Sequence, residues 1–305
     1  MPARLSLVSI LIAVLAAPAG AVTLDSRASV ERAVALIEDG QHALARVYLE
    51  PALIDPRLSA GERSRAYYIR GYSFYADGQF NSAAKDYHHA LEFDPGNPVV
   101  LSAVAQLHLE GLGVDRNPAL AVNLFQQAAD AGLPEGQLRM GYLYAQGIWV
   151  EQDLDEARRW FALAAAGGSA QAMLQMAQTW RRPWAERPDP QATLEWLERA
   201  HAAGAVDALT IAGFMFENGE FGAPDPAQAQ ARFEAPAAAG SGLPSAKLAH
   251  LYLAGDSVPQ DDARALALFQ AAAERGHPAG FMGLAYLYES GTGVPEDQGQ
   301  ALAWY

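Results

Sequence analysis

Residues Pro244–His277 read PSAKLAHLYLAGDSVPQDDARALALFQAAAERGH. In the first half, apolar residues such as Leu248 and Tyr252 have the spacing of one helix face. In the second half, an apolar face begins after Asp261, a residue type that caps helix N-termini, and ends before Gly276, a residue type that ends helices. The stretch therefore predicts a helical hairpin with one apolar side, which neighbouring hairpins must cover.

The same unit recurs every 36 residues from Val99 onward. Four kinds of position keep this spacing: the closing glycine, the large residue of the second helix, the turn and the N-cap. They are Gly132, Gly168, Gly204, Gly240 and Gly276; Phe125, Phe161, Leu197, Phe233, Phe269 and Tyr305; Gly111, Gly147, Pro183, Gly219, Gly255 and Gly291; and Asn117, Asp153, Asp189, Asp225, Asp261 and Asp297. A fixed period of this length predicts a solenoid, in which each hairpin packs only on its neighbours.

The pattern of residues 22–98 predicts helical hairpins whose spacing is less regular than that of the later repeats. The segment Ser64–Pro95 carries the residues of the 34-residue tetratricopeptide pattern in order and spacing, namely Tyr67, Gly71, Phe74, Ala83, Tyr87, Ala90 and Pro95. Before it, Ala28–Leu58 has the pattern of another hairpin, with Asp39 and Gly40 at its turn. We therefore divide the chain into a targeting segment at 1–21, tetratricopeptide-like hairpins at 22–98 and six repeats at 99–305, of which the last is incomplete.

The repeats resemble the Sel-one-like repeat (SLR) family, a relative of the tetratricopeptide repeats. The resemblance rests on segments such as EGLGVDRNPALAVNLFQQAADAG, AQGIWVEQDLDEARRWFALAAAGG and ESGTGVPEDQGQALAWY, and it covers residues 99–305. It implies an all-α, right-handed α-solenoid whose first helices line a concave face, and a role as a scaffold or adaptor in multi-protein assemblies. Because the sixth copy lacks the end of its motif, we expect the natural chain to be longer.

Two copies depart from the pattern. The third has Arg181-Arg182-Pro183-Trp184 where the others have a glycine turn, so we expect a reshaped loop. The fourth has Pro236 where other copies have alanine. A proline inside a helix removes a hydrogen bond and clashes with the preceding turn, at a cost of about 3 kcal/mol. The sequence therefore predicts a kink or an early helix end at Pro236, with a local change of superhelix curvature.

The first 21 residues predict a signal peptide. Arg4 supplies the positive start, Leu5–Ala17 the apolar stretch, and Ala19-Gly20-Ala21 a cleavage site of small residues. We expect a periplasmic or secreted bacterial protein without an integral membrane segment after cleavage; an uncleaved anchor is the alternative. The net charge of -14 repels phosphate backbones and anionic lipids, which argues against nucleic acid as a partner. Without cysteine, the chain has no disulfides and no cysteine metal sites.

No catalytic motif, metal site or cofactor site is predicted. The adjacent pair His88-His89 points in different directions on a helix, unlike ligands at i and i+4. The acidic groups that start at Asp153 and Asp261 could suggest calcium, but they fall on the N-cap position of the repeat, where carboxylates complement the helix N-terminus. We therefore interpret them as caps.

The candidate partner-binding residues lie on the first helices and in two inter-helix loops. They are Tyr68, Tyr72, Tyr75, Tyr142, Trp149, Arg181, Trp184, Phe214, Glu217, His250 and Tyr286. Aromatic rings interleaved with polar groups suit peptide or glycan contact, since a ring offers large area at low entropic cost. The alternative is that each ring packs between hairpins. Trp160, Trp196 and Trp304 share one repeat position beside the large residue of the second helix and are interpreted as structural.

Three functions remain open at this point. The first is a non-enzymatic protein–protein interaction scaffold of the bacterial cell envelope, which binds a partner protein through the concave face. The second is an assembly factor for cell wall or exopolysaccharide that binds an envelope glycan. The third is a hydrolase of the β-lactamase type. The resemblance gives the third little support, since SLR proteins linked to β-lactams share paired cysteines and this chain has none.

Overall fold

The computed structural model describes residues 25–181, 185, 187–255 and 258–305. The predicted signal segment and the loop residues Arg182, Pro183 and Trp184 lie outside the described residues. Within the described ranges the chain forms sixteen α-helices and no strand. The helices are α1 (Ser26–Glu38), α2 (His42–Ile54), α3 (Ala60–Ala76), α4 (Phe80–Phe93), α5 (Pro98–Glu110), α6 (Pro118–Asp130), α7 (Pro134–Gln146), α8 (Leu154–Ala166), α9 (Ala170–Thr179), α10 (Pro190–Ala202), α11 (Asp207–Glu217), α12 (Pro226–Ala238), α13 (Gly242–Ala254), α14 (Asp262–Glu274), α15 (Pro278–Ser290) and α16 (Gln298–Trp304).

The helices form successive hairpins in two compact units, Met1–Gln152 and Asp153–Tyr305. In the first unit, the pairs α1–α2, α3–α4 and α5–α6 pack each on the next, and α7 packs on α6. In the second unit, α8 packs on α9, and the pairs from α9–α10 to α15–α16 follow in the same manner. The predicted all-α solenoid of hairpins is confirmed. The predicted boundary at residue 98 stays a prediction.

The predicted N-cap positions begin helices as expected. At each, a side-chain oxygen accepts a hydrogen bond from a backbone N–H two or three residues later; the six residues are Asn117, Asp153, Asp189, Asp225, Asp261 and Asp297. These bonds satisfy amide groups that have no partner inside the helix. The interpretation of the acidic groups as caps is therefore confirmed.

The large residue of the second helix fills the core between helices. Phe125, Phe161, Leu197, Phe233 and Phe269 are fully buried, whereas Tyr305, the last of the series, is exposed. First-helix glycines make room for two of these rings. A Cβ atom on Gly213 would lie 2.4 Å from the Phe233 ring, and one on Gly283 would lie 2.2 Å from the Phe269 ring. The close approach of the helices therefore depends on these glycines.

The structure corrects the prediction at Pro236. The helix α12 continues through Pro236 to Ala238, so the predicted early helix end is wrong. The predicted kink and change of superhelix curvature stay predictions. Pro236 removes one intrahelical hydrogen bond, the one from its own nitrogen. The helix end is still closed by bonds from Ala239 N to Ala235 O and from Gly240 N to Ala237 O, both 2.9 Å.

The departure in the third copy is confirmed. Its first helix, α9, has ten residues, whereas the first helices α7, α13 and α15 have thirteen each. Those three end on a glycine in the left-handed conformation, but α9 ends on Trp180 with φ −97°. Without a glycine at this point, α9 lacks the left-handed cap of those three helices and is shorter than they are.

Candidate functional site

The first helices of the first unit line a groove, which we call the unit 1 groove. It consists of three adjoining cavities of about 840, 330 and 790 Å³. The first two share Tyr68, Tyr72 and Val99, and the second and third share Arg139. The lining residues come mainly from α1, α3, α5 and α7. Within this unit, the first helices thus form a recessed face, as the resemblance implies.

Three predicted tyrosines lie on α3 in this groove, and they differ in accessibility. Tyr72 is 44% exposed. Tyr68 stacks on Tyr87 with ring centroids 5.7 Å apart, and Tyr75 meets Phe80 edge-on at 5.4 Å. Burial raises the pKa of both Tyr68 and Tyr75 above the ordinary tyrosine value. Tyr68 and Tyr75 therefore form the wall of the groove, whereas Tyr72 presents its ring to a ligand.

The third cavity lies beside Trp149, and we call it the Trp149 pocket. Its walls include Leu109, Tyr142 and Ile148. The Trp149 residue is 52% exposed and adopts φ +66°. The Arg116 guanidinium lies 5.2 Å from the centroid of the Trp149 ring, at cation–π distance. Two predicted residues, Tyr142 and Trp149, are thus brought together in one pocket.

In the second unit, the predicted residues Glu217 and Phe214 both contact Lys247, which sequence analysis did not identify. The Lys247 Nζ lies 2.9 and 3.0 Å from the two carboxylate oxygens of Glu217, and 5.2 Å from the centroid of the Phe214 ring. The Glu217 charge is therefore compensated within the protein. Phe214 itself packs edge-on against the core residue Phe233 at 5.4 Å.

His250 and Tyr286 occupy equivalent positions on α13 and α15 but differ in their contacts. The His250 ring packs edge-on against Phe269 at 5.0 Å. The pKa of His250 is lowered, first because this partial burial disfavours the charged ring and second because of the nearby Lys247; Glu217 acts in the opposite direction. Tyr286 is 53% exposed. Tyr286 is thus the more accessible ring of the two.

The loop candidates of the third copy fall in two classes. Arg181 forms an ion pair with Glu220, from the loop after α11, and its Nε donates at 3.1 Å. Trp184 lies outside the described residues.

Of the tryptophans interpreted as structural, Trp160 is buried, and the other two, Trp196 and Trp304, pack at the edges of core clusters. Their structural interpretation agrees with these positions.

Sequence analysis missed the arginines of the groove, Arg116 and Arg139, as well as Lys247. Charged residues are common on helix surfaces, so composition gives no reason to select them. A comparison of the copies at one register position would have found Arg116, because the next copy has Gln152 there. Arg139 donates to Glu135 at 2.8 Å across one helical turn, and Lys247 occupies its position three copies later.

In the ranges that the structure describes, no group of three or more histidine or carboxylate side chains is placed to hold a metal ion. Among the described helices, none has both the length and the apolar character needed to cross a bilayer.

The sequence profile of the Sel1 repeat matches six segments, at residues 100–133, 134–169, 170–204, 206–231, 246–277 and 281–305, which together make up more than half of the chain. The chain belongs to the Sel1 repeat family. The resemblance to Sel-one-like repeats is thereby confirmed. Proteins built from Sel1 and tetratricopeptide repeats generally act as protein–protein interaction scaffolds, and the Sel1 repeat fold is typically non-enzymatic.

Solved structures of Sel1 repeat proteins have the same fold. A Sel1 repeat protein from Oxalobacter formigenes is 27% identical over 77% of this chain and 95% of its own, with a TM-score of 0.61. The protein c5321, a protective antigen of uropathogenic Escherichia coli strains with an SLR fold, is 24% identical over 92% of this chain, with a TM-score of 0.70. The alignment covers 60% of the c5321 chain. A search of curated proteins finds no match.

Proposed function

We propose that this Sel1 repeat protein is exported to the bacterial cell envelope and acts there as a scaffold that binds a partner protein through its first-helix face. The observation that carries the proposal is the unit 1 groove. Its cavities adjoin along four successive first helices, so that together they can hold an extended segment rather than a compact molecule. Exposed aromatic rings such as Tyr72 supply the large, stiff contact area that is typical of interaction hot spots.

Export is supported by the signal pattern of residues 1–21. If it is cleaved after Ala21, the mature protein begins at Val22. Mass spectrometry of the protein from a fractionated bacterium tests this. A periplasmic or secreted species that begins near Val22 supports the proposal, whereas a cytoplasmic species that retains Met1 contradicts it.

Site-specific photo-crosslinking tests the groove. A photoreactive amino acid is placed at Tyr72, and in a matched control at Leu163, which is equally exposed at 43% but lies on the second helix α8. We expect a discrete protein adduct from position 72 that is absent from position 163. Equal adducts at both positions, or none at position 72, would contradict binding through the first-helix face.

Two further assays separate the other two hypotheses. Retention on peptidoglycan or acidic polysaccharide that is lost with Tyr72→Ala would favour the glycan assembly factor. Turnover of a chromogenic β-lactam would favour the hydrolase. The net charge of -14 disfavours acidic glycans, so the protein partner is the function that the residues support best.

A further inference from the structure

Two departures from the repeat pattern meet in the Trp149 pocket. At the register position of Trp149, the first and sixth copies have Gly113 and Gly293, both with φ +70°. Trp149 adopts the same left-handed conformation with φ +66°, which costs free energy for any residue that carries a Cβ atom. About half of the residue remains in contact with solvent. The first and sixth copies have glycine at this position, the third Ala185 and the fourth Phe221, so the repeat fold does not require a tryptophan there.

The charge of Arg116 is likewise not needed for the fold. Its Nε donates to the carbonyl oxygen of Leu109 at 3.1 Å. In the next copy, 36 residues later, the amide of Gln152 donates to the carbonyl oxygen of Ala145 at 2.8 Å. A neutral amide thus makes the same bond to the end of the first helix. Among the described residues, no carboxylate lies within ion-pair distance of Arg116, so its charge is available to a ligand.

The pocket between these two residues is apolar, with one uncompensated cation at its edge. Leu109, Leu143 and Ile148 contribute apolar surface. Of the charged lining residues, Arg139 pairs with Glu135 and Glu110 accepts a hydrogen bond from Gln106, whereas Arg116 has no carboxylate partner among the described residues. The whole chain carries a net charge of -14. A basic ligand would be attracted to carboxylates over much of its surface, whereas an acidic group is favoured locally, beside the uncompensated Arg116.

We propose that the Trp149 pocket binds an acidic peptide segment of the partner protein. An apolar side chain of that segment packs on the Trp149 ring and the pocket wall, and a neighbouring carboxylate accepts hydrogen bonds from the Arg116 guanidinium. Charge-assisted bonds of this kind are stronger than neutral ones, and the planar guanidinium matches the carboxylate geometry. The proposal rests on the proposed function and names the chemistry of the partner.

Fluorescence anisotropy with synthetic ten-residue probes tests it. One labelled probe alternates glutamate with phenylalanine; the other three replace glutamate by glutamine, glutamate by lysine, or phenylalanine by serine. We expect saturable binding of the glutamate–phenylalanine probe, weakened by salt, and at least about tenfold weaker binding of the other three, the loss expected for a charge-assisted bond or a buried ring. Equal binding of the lysine probe, or of a single-stranded oligonucleotide used as a general polyanion, would overturn the proposal.

Matched variants locate the site. Arg116→Gln removes only the charge, because Gln152 makes the same bond to a backbone carbonyl in the next copy. Trp149→Gly introduces the residue that the first and sixth copies have at this position. Each variant is expected to bind the glutamate–phenylalanine probe about tenfold more weakly or worse, without a lower melting temperature of the protein. The control Arg275→Gln, at an exposed arginine that donates to the carbonyl oxygen of Ala271, is expected to bind as the wild type does.

The outcomes separate this proposal from the proposed function. If crosslinks from Tyr72 persist while Arg116→Gln and Trp149→Gly leave probe binding unchanged, the scaffold stands and the acidic-segment proposal falls. If the probe binds and depends on Arg116 while position 72 yields no adduct, the pocket stands and binding along the whole groove falls.

Discussion

The guanidinium of Arg70 donates two hydrogen bonds, each 2.7 Å long, to the buried carboxylate of Asp86 and thereby joins α3 to α4. It also donates to Glu50 on α2 at 3.0 Å. One half-buried side chain thus connects three helices of the first unit. Neither residue belongs to the tetratricopeptide pattern that predicted this hairpin.

Arg70→Met is expected to destabilise the protein by about 3 kcal/mol, because it leaves the Asp86 carboxylate buried without its partner. The free energy of unfolding from urea denaturation measures this. The double variant Arg70→Met/Asp86→Leu should recover much of the loss, since removing both charges leaves no unpaired group. Arg65→Met, which breaks an exposed pair with Glu31, serves as the control and should cost at most about 1 kcal/mol. Equal losses of unfolding free energy for Arg65→Met and Arg70→Met would contradict a special contribution of the buried Arg70–Asp86 pair.

A second prediction concerns acid stability through Asp55, in the linker between α2 and α3. Hydrogen bonds from the Arg57 guanidinium, then from the Ser26 hydroxyl and the Arg57 backbone N–H, hold the pKa of Asp55 well below its ordinary value. A lowered folded-state pKa stabilises the protein above the unfolded-state pKa of about 3.9, and this stabilisation is lost as the pH falls through the folded-state value. Glu62 acts in the same direction, since its hydrogen bond from Arg27 and those from Ser59 lower its pKa to about 2.

Melting temperatures from pH 7 to pH 2 test the role of Asp55. Asp55→Asn should melt below the wild type at pH 7, and the difference should narrow below about pH 4, because the unfolded wild type then takes up a proton at Asp55 while the folded state still holds the ionised carboxylate. Glu151→Gln removes an equal charge from an exposed loop position and should follow the wild type at every pH. A gap between Asp55→Asn and the wild type that stays constant down to pH 2 would argue against the hydrogen-bonded carboxylate as its source.

A third prediction isolates the backbone strain at Trp149. Trp149→Gly should be more stable than Trp149→Ala by about 1 kcal/mol, because only glycine adopts the left-handed conformation without a Cβ clash. Both variants lose the contact with Arg116, so their difference reports on φ alone. Thermal unfolding of the two proteins measures it. Equal melting temperatures would mean that the loop changes conformation once the ring is removed.

A fourth prediction concerns the close approach of α14 and α15. Gly283→Ala should destabilise the protein by about 1–3 kcal/mol, because its Cβ would clash with the Phe269 ring and the side chains of a packed core have little room to move. Gly61→Ala is the matched control, since nothing lies within 4 Å of the added atom and its φ is not positive. It should be neutral or stabilise the protein by about 0.5 kcal/mol. Urea denaturation compares the two, and a neutral Gly283→Ala would show that the ring can move aside.

Most of the fold could be predicted because its determinants repeat locally. Each cap, such as Asp225, bonds to an amide three residues later, so its role does not depend on distant contacts. The early helix end at Pro236 was wrongly predicted because the local rule took no account of packing. Phe233 and Pro236 are both buried, and tertiary packing overrides local helix propensity.

The candidate site could be predicted only in part. The periodicity placed Tyr68, Tyr72 and Tyr75 on one helix. It did not show which of these rings is stacked on a neighbour and which is accessible. That depends on partners such as Tyr87 on the following helix. Arg116 went unnoticed because its importance lies in the absence of a carboxylate within ion-pair distance among the described residues, and a sequence does not display the spacing of charges in three dimensions.

By itself the sequence determined the repeat, the helical hairpins and the residues that cap and fill them, since these depend on contacts within one 36-residue unit or with the next. Only the tertiary structure decided which of the predicted rings are accessible and which charges are compensated. The φ of +66° at Trp149 and the Arg116 guanidinium above its ring come from two different copies. Their meeting follows from how successive hairpins stack, and no spacing within a single copy encodes it.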